Sequence, residues 1–182
     1  EIVTEHISVV FNGDGYSAEW HAEAEKRGLP NLKNTPAALP ALQKPEVIEL
    51  FDKYRVLTPR ELNSRYEVYL EQYVKSVRVE AGLTSRLAKT SILPAALRYQ
   101  TEIVGSASAA KALGVPGDLK TPAKLAGLAI ELEKAVDVLE SASSSVPHGD
   151  TLKEAQYYCD KVIPAMNKVR ELGDTLEGIV AD

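Results

Sequence analysis

Residues 58–114 read TPRELNSRYEVYLEQYVKSVRVEAGLTSRLAKTSILPAALRYQTEIVGSASAAKALG, and this stretch decides the fold. Thr58 can cap a helix, Pro59 suits the first helical position, and Glu61 completes a capping box. No clear stop signal follows until the end of the stretch. We therefore predict one helix of about 80 Å at 1.5 Å per residue, bent at Pro94, whose ring removes a backbone hydrogen bond.

Two more helices with apolar seams are predicted downstream. The first begins at Thr121 and reaches about Ser145, and the second begins at Asp150 or Thr151. Apolar residues recur three and four apart in both, as in helices packed against near-parallel neighbours. The seam residues are Leu125, Leu128, Leu132, Ala135, Leu139 and Ala142 in the first helix, and Ala155, Cys159, Val162, Met166, Val169, Leu176 and Val180 in the second. Because short loops make consecutive helices neighbours, the sequence predicts an all-α fold, with long kinked helices in an antiparallel bundle over residues 58–182.

Residues 1–57 are predicted to be an irregular lead-in with short helices. The first eleven residues fit either a strand or the end of a helix. Ser17 is the expected N-cap of a helix that ends near Arg27, with Gly28 as its left-handed terminator. Four prolines favour short turns after that helix, and residues 45–54 are predicted to form one more short helix.

The composition argues against several functions. The chain has 182 residues, of which 21 are Lys or Arg and 26 are Asp or Glu, with a net charge of -5. Nucleic-acid binding is not expected, because the basic residues are interspersed among a larger number of acidic ones. No apolar run approaches the roughly 20 residues that cross a bilayer. We expect a cytoplasmic protein and, because the chain starts at Glu1, a fragment of something longer.

The residues that could carry chemistry are scattered. The loop at residues 12–16, NGDGY, lacks the Lys and Ser or Thr of a phosphate-binding loop, and as a calcium loop it lacks the required glycine, so a plain turn is predicted. The three histidines are His6, His21 and His148, and none has ligand spacing to another His or Cys. Cys159 is interpreted as a core thiol. We predict no catalytic, cofactor-binding or metal-binding residue in this chain.

An aromatic stripe on the long helix permits two interpretations. Tyr66, Tyr69 and Tyr73 lie on one helical face, which Leu62 and Val77 extend. Amphipathic aromatic side chains can form a docking face for another protein. Packing of the stripe against residues 1–57 is favoured over docking.

Several stretches of this sequence resemble the C-terminal region of type III glutamine synthetases. The residues that carry the resemblance are 11–17 (FNGDGYS) with Glu19 and Trp20, 23–33 (EAEKRGLPNLK), 38–42 (ALPAL), 49–54 (ELFDKY), 64–75 (SRYEVYLEQYVK) and 92–100 (ILPAALRYQ). The likeness is dense over residues 9–104 and weaker at Tyr157, Tyr158 and residues 160–166 (DKVIPAM).

The resemblance implies an ATP-dependent ligase that joins ammonia to glutamate through a γ-glutamyl phosphate. It further implies Mg or Mn as the metal and a cytoplasmic double-ring homo-dodecamer. In that family the metal, ATP and phosphate ligands belong to catalytic domains that precede the matched region, so none can be placed on this chain. Arg55 departs from the family pattern, which has Gly there, and the chain ends before the family's usual tail.

Two functional interpretations follow. The first is the helical C-terminal domain of such a synthetase, in which residues 1–57 end the catalytic body or pack on it and residues 58–182 form a structural, oligomer-supporting bundle. The alternative is a stand-alone helical module that binds a protein partner through the face from Tyr66 to Tyr73.

Overall fold

The computed structural model describes residues 1–117 and 119–180. No strand occurs among the described residues, which confirms the all-α prediction. The α-helices are α1 Ile2–Glu5, α2 Ala18–Lys26, α3 Thr35–Ala38, α4 Pro45–Lys53, α5 Pro59–Leu87, α6 Leu93–Ala112, α7 Lys120–Ser144, α8 Thr151–Tyr157 and α9 Ile163–Glu177. Two 3-10 turns, Ile7–Val9 and Leu39–Gln43, and two π turns, Ala88–Ile92 and Tyr158–Val162, complete the order.

The predicted long helix consists of α5 and α6 joined by the first π turn. Its start is the expected capping box: Thr58 Oγ1 accepts from the Glu61 N–H at 3.3 Å, and Glu61 Oε2 accepts from the Thr58 N–H at 2.8 Å. Pro59 occupies the first helical position. These contacts satisfy donors that a helix N-terminus otherwise leaves without partners.

Each π turn precedes a proline at the same spacing. The Leu93 N–H bonds to the Ala88 carbonyl just before Pro94, and the Ile163 N–H bonds to the Tyr158 carbonyl just before Pro164. A proline inside a helix lacks an N–H and crowds the carbonyl four residues earlier. The wider turn is where the backbone accommodates that defect.

The three long segments form the predicted antiparallel bundle. Helix α7 packs against α6 and α9, while α5 packs against α8 and α9. Both predicted seams face the core, with Leu125, Leu139 and Leu176 almost fully buried. Tyr158, which the seam omitted, is also buried, since it lies three residues after Ala155 and four before Val162, on the same helical face.

The lead-in contacts the bundle through its proline-rich part. The 3-10 turn Leu39–Gln43 and helix α4 pack on α5, and α3 contacts both α5 and α8. Helix α2 is capped by Ser17, whose Oγ accepts from the Trp20 N–H at 3.3 Å, as predicted. The division of the chain at residues 57 and 58 into two domains stays a prediction.

Helices α2 and α4 end in the same hydrogen-bonding pattern. In α2 the Gly28 and Leu29 N–H groups bond back to the carbonyls of Glu25 and Ala24. In α4 the N–H groups of residues 55 and 56 bond to the carbonyls of residues 52 and 51. This Schellman pattern requires a left-handed residue after the helix, with φ of 71° at Gly28 and 54° at Arg55.

Candidate functional site

The tyrosine stripe is mostly part of the packed interior. Leu62 and Val77 are buried, and Tyr66 and Tyr73 are half-buried against the core cluster. Tyr69 differs, because 43% of it is exposed. Tyr66 and Tyr73 therefore belong to the packed interior and Tyr69 lies at the surface, while packing of the stripe against residues 1–57 stays a prediction.

Tyr73 contacts the lone cysteine of the chain. The phenol faces Cys159 of the second π turn, and burial, followed by the electrostatic interaction and the hydrogen bond with Cys159, raises the pKa of Tyr73 to about 12. Cys159 is half-buried at this contact, so the predicted core thiol lies at the edge of the core. The pair joins α5 to the last helix.

A second polar contact ties α5 to the second π turn. Arg78 Nε donates to Tyr158 Oη at 3.0 Å, and Arg78 Nη2 donates to Glu154 Oε1 at 2.6 Å. The hydrogen bond to Tyr158 is the first cause of the raised pKa of Arg78. Because Tyr158 is buried, its hydroxyl needs such a donor or acceptor partner at the edge of the core.

The first π turn has an equivalent tie to α7. Lys89 Nζ donates to both oxygens of Glu140, at 2.6 and 2.8 Å, and Ser85 Oγ donates to Glu140 Oε1 at 2.6 Å. The hydrogen bond from Lys89 and then that from Ser85 lower the pKa of Glu140. Sequence reasoning missed both ties, since their partners lie 51 to 80 residues apart and share no local pattern.

A surface groove of about 490 Å³ lies where the first π turn meets the end of α9. Its lining is Ser91, Ile92, Ala95, Arg98, Leu176, Glu177 and Val180. The two charged residues of the lining have opposite signs and are both exposed. The lining shows no hydrogen-bonded pair of a nucleophile and a base, so we interpret it as a groove between packed helices.

The remaining sequence candidates are structural or isolated. In the described part of the chain, no group of three His, Cys, Asp or Glu side chains could hold a metal ion. The loop at residues 12–16 is a turn, in which Asp14 Oδ1 accepts from the Tyr16 N–H at 2.9 Å. None of the described helices is long and apolar enough to cross a membrane.

Long helices tied together by polar contacts at their two π turns define a helical structural domain. A family model for the glutamine synthetase C-terminal domain matches residues 1–111, and the chain belongs to that family. It is 35% identical to the type-3 glutamine synthetase of Dictyostelium discoideum, an alignment that covers 100% of this chain and 26% of that protein.

Two bacterial relatives give the same result. The chain is 31% identical to a glutamine synthetase of Butyrivibrio fibrisolvens, over 100% of this chain and 27% of the relative. It is 29% identical to a glutamine synthetase of Bacteroides fragilis, over 94% of this chain and 25% of the relative. The chain thus spans about a quarter of the length of the curated relatives it matches.

Proposed function

We propose that this chain is the C-terminal helical domain of a type III glutamine synthetase, and that it stabilises the oligomer of that enzyme without contributing catalytic groups. The parent enzyme would make glutamine from glutamate, ammonia and ATP in the cytoplasm. The observation that carries the proposal is the match of the whole chain to about a quarter of the glutamine synthetases of Dictyostelium discoideum and Butyrivibrio fibrisolvens.

The character of the domain supports a structural role. Its interhelical polar groups, Arg78 with Tyr158 and Lys89 with Glu140, are already paired with one another across helices. Groups paired in this way help to hold the helices in register. Residues 58–182 would therefore act as a preformed body that adds contacts between subunits.

ATP and Mg or Mn, which the parent enzyme would require, do not fit the described residues of this chain. These residues bring no three potential ligands of a divalent metal together. The loop at residues 12–16 presents Asp14, which repels phosphate, and lacks a phosphate-binding Lys. We propose that these ligands bind to the part of the parent enzyme outside the matched region.

The alternative, a stand-alone docking module, depends on the face from Tyr66 to Tyr73. Only Tyr69 of these tyrosines is exposed, beside an exposed Val68. Tyr69→Ala distinguishes the two roles. Loss of binding to a protein partner at an unchanged melting temperature supports docking. A large drop in melting temperature shows that the ring contributes to packing.

The proposal is tested on the full-length gene product by measuring oligomeric mass and glutamine formation, with and without residues 58–182. Leu139→Asp breaks the bundle without shortening the chain, because it places an unpaired charge at a fully buried position. Val138→Asp, at the neighbouring exposed residue, is the matched control.

We expect the deletion and Leu139→Asp to lower the oligomeric mass, and Val138→Asp to leave it unchanged. Activity lost at unchanged mass would contradict the proposal, because the bundle would then support the active site directly. A gene product with no catalytic region outside this chain would contradict the assignment to a glutamine synthetase enzyme itself.

A further inference from the structure

Helix α5 carries three large apolar side chains on its solvent side, at intervals of four residues. They are Val79, Leu83 and Leu87, which are 68%, 51% and 47% exposed. Because residues four apart lie one above the other on a helix, these side chains form one ridge, which we call the outer ridge of α5. The buried residues Val77 and Ala81 lie on the opposite side of the helix.

The outer ridge borders a groove of about 390 Å³ between α5 and α9. The side chains that line the groove include Glu80, Leu83, Thr84 and Leu87 of α5 and Ile163 and Met166 of α9. Thr84 Oγ1 already donates to the Glu80 carbonyl at 2.8 Å, so covering this wall of the groove leaves its hydroxyl satisfied. Ridge and groove thus form one surface on which a second helix can pack.

Two charged residues flank the ridge symmetrically. Glu80 lies three residues before Leu83 and Arg86 lies three residues after it, and both are exposed. Neither forms an ion pair within residues 1–117 and 119–180. The apolar residues share this symmetry, since Val79 and Leu87 lie four residues to either side of Leu83. The pattern is therefore the same in both directions along the helix except that the charge changes sign.

Such a pattern is complementary to itself in an antiparallel arrangement. When two copies of α5 pair about a two-fold axis at Leu83, every residue comes level with the one at the same distance on the other side of Leu83. Val79 then comes level with Leu87 of the second copy, and Glu80 with Arg86 of the second copy. A parallel pair in register would instead bring like charges level, which is unfavourable.

We propose that the outer ridge of α5 is the site at which a second copy of this chain docks, with the two α5 helices antiparallel about Leu83. This inference rests on the proposed function and names one of the subunit contacts that it requires. The charges argue for this occupant, because a second copy supplies both complementary partners without any further requirement.

The size of the ridge indicates that this contact acts together with others. Its eight-residue span is about 12 Å at 1.5 Å per residue. A stable interface between two proteins buries about 800 Å² on each partner, which is more than such a short ridge provides. The antiparallel pair is therefore one contact within a larger assembly.

The first test is disulfide crosslinking in the full-length gene product. Leu83→Cys places the two introduced thiols at the two-fold axis, so we expect a disulfide-linked dimer after mild oxidation, measured on a non-reducing gel. Val68→Cys is the matched control, since Val68 lies on the same helix and is 55% exposed. Its two copies would be about 45 Å apart at 1.5 Å per residue. That variant and the unaltered product, which retains Cys159, should give several-fold less dimer.

The second test reverses the two charges in the full-length product. Glu80→Arg and Arg86→Glu each bring like charges level, and we expect each to raise the protein concentration of half-dissociation roughly tenfold, measured by sedimentation. The double variant restores the attraction with the signs exchanged, so it should return to within about twofold of the unaltered product. A double variant as weak as the single variants would overturn the antiparallel pairing. Circular dichroism checks that all three variants fold.

The outcomes separate this inference from the proposed function. If deletion of residues 58–182 lowers the oligomeric mass but Leu83→Cys forms no more dimer than Val68→Cys, this inference is wrong and the proposed function stands. A Leu83→Cys thiol that is protected from alkylation yet forms no dimer would also overturn the inference, because another part of the parent polypeptide would then cover the ridge. An oligomeric mass that does not respond to the deletion would overturn the proposed function, on which the inference rests.

Discussion

Arg55 occupies a backbone conformation that favours glycine, with φ of 54°. Within residues 1–117 and 119–180 it is the one non-glycine residue with positive φ. In this conformation the Cβ of an L-residue lies too close to the following carbonyl oxygen. Arg55 is also the residue at which the sequence departs from the family pattern. Helix α4 still ends in the Schellman pattern, so the backbone strain falls on Arg55.

We predict that Arg55→Gly raises the free energy of unfolding by about 1 kcal/mol, because it removes this strain. Urea unfolding followed by circular dichroism measures the effect. Gly28→Ala is the control, since it introduces the same strain at the end of α2 and should lower stability by about 1 kcal/mol. A less stable Arg55→Gly variant would show that the guanidinium makes a compensating contact.

Ionisation of Tyr73 makes the free energy of unfolding depend on pH in the alkaline range. Its pKa is about 12 in the folded chain, compared with 10.0 for an ordinary tyrosine. A raised folded pKa contributes stability that is fully present below pH 10.0 and is lost as the pH rises through about 12. Tyr73→Phe should therefore flatten the fall of unfolding free energy over this interval.

The measurement is urea unfolding at a series of alkaline pH values. Tyr16→Phe, at an almost fully exposed residue, is the control. If Tyr73→Phe leaves the alkaline slope equal to that of the unaltered chain, burial of the phenol does not govern its ionisation.

At the scale of elements, the close approach of α9 to the first π turn depends on Gly173. A Cβ built at Gly173 would lie 3.2 Å from Ile92 Cδ1, whereas one at Gly82 in α5 would meet nothing within 4 Å. We predict that Gly173→Leu lowers the free energy of unfolding by about 2 kcal/mol through overpacking. Gly82→Leu should raise it by roughly 0.5–1 kcal/mol, since Leu is the better helix former.

Thermal and urea unfolding of both variants check this pair of predictions. Equal effects of the same substitution at the two glycines would mean that α9 and the π turn are not closely packed in solution.

At the scale of the whole molecule, one core joins all the long helices. Leu139 of α7 is fully buried in a cluster that includes Leu70 of α5 and Leu176 of α9. We predict that Leu139→Ala costs about 3 kcal/mol and that unfolding remains a single transition, because the three helices share that core.

Val138→Ala, at the neighbouring exposed residue, should change stability by less than about 0.5 kcal/mol. Differential scanning calorimetry checks both the size of the change and the number of transitions. Two separated transitions in Leu139→Ala would show that the lead-in or one helix unfolds independently.

The sequence alone determined the elements whose signals are local. The capping box at Thr58, the N-cap at Ser17 and the terminator at Gly28 each involve residues within a few positions of one another. The seams of α7 and α9 were predicted from periodicity, because one face of a helix must be apolar to be buried. The family resemblance was likewise carried by short stretches, such as residues 64–75 and 92–100.

Only the tertiary structure decided how these elements meet. The ties from Arg78 to Tyr158 and from Lys89 to Glu140, and the apposition of Ile92 and Gly173, join residues far apart in sequence. Such contacts depend on the rotation and register of packed helices, which periodicity leaves free.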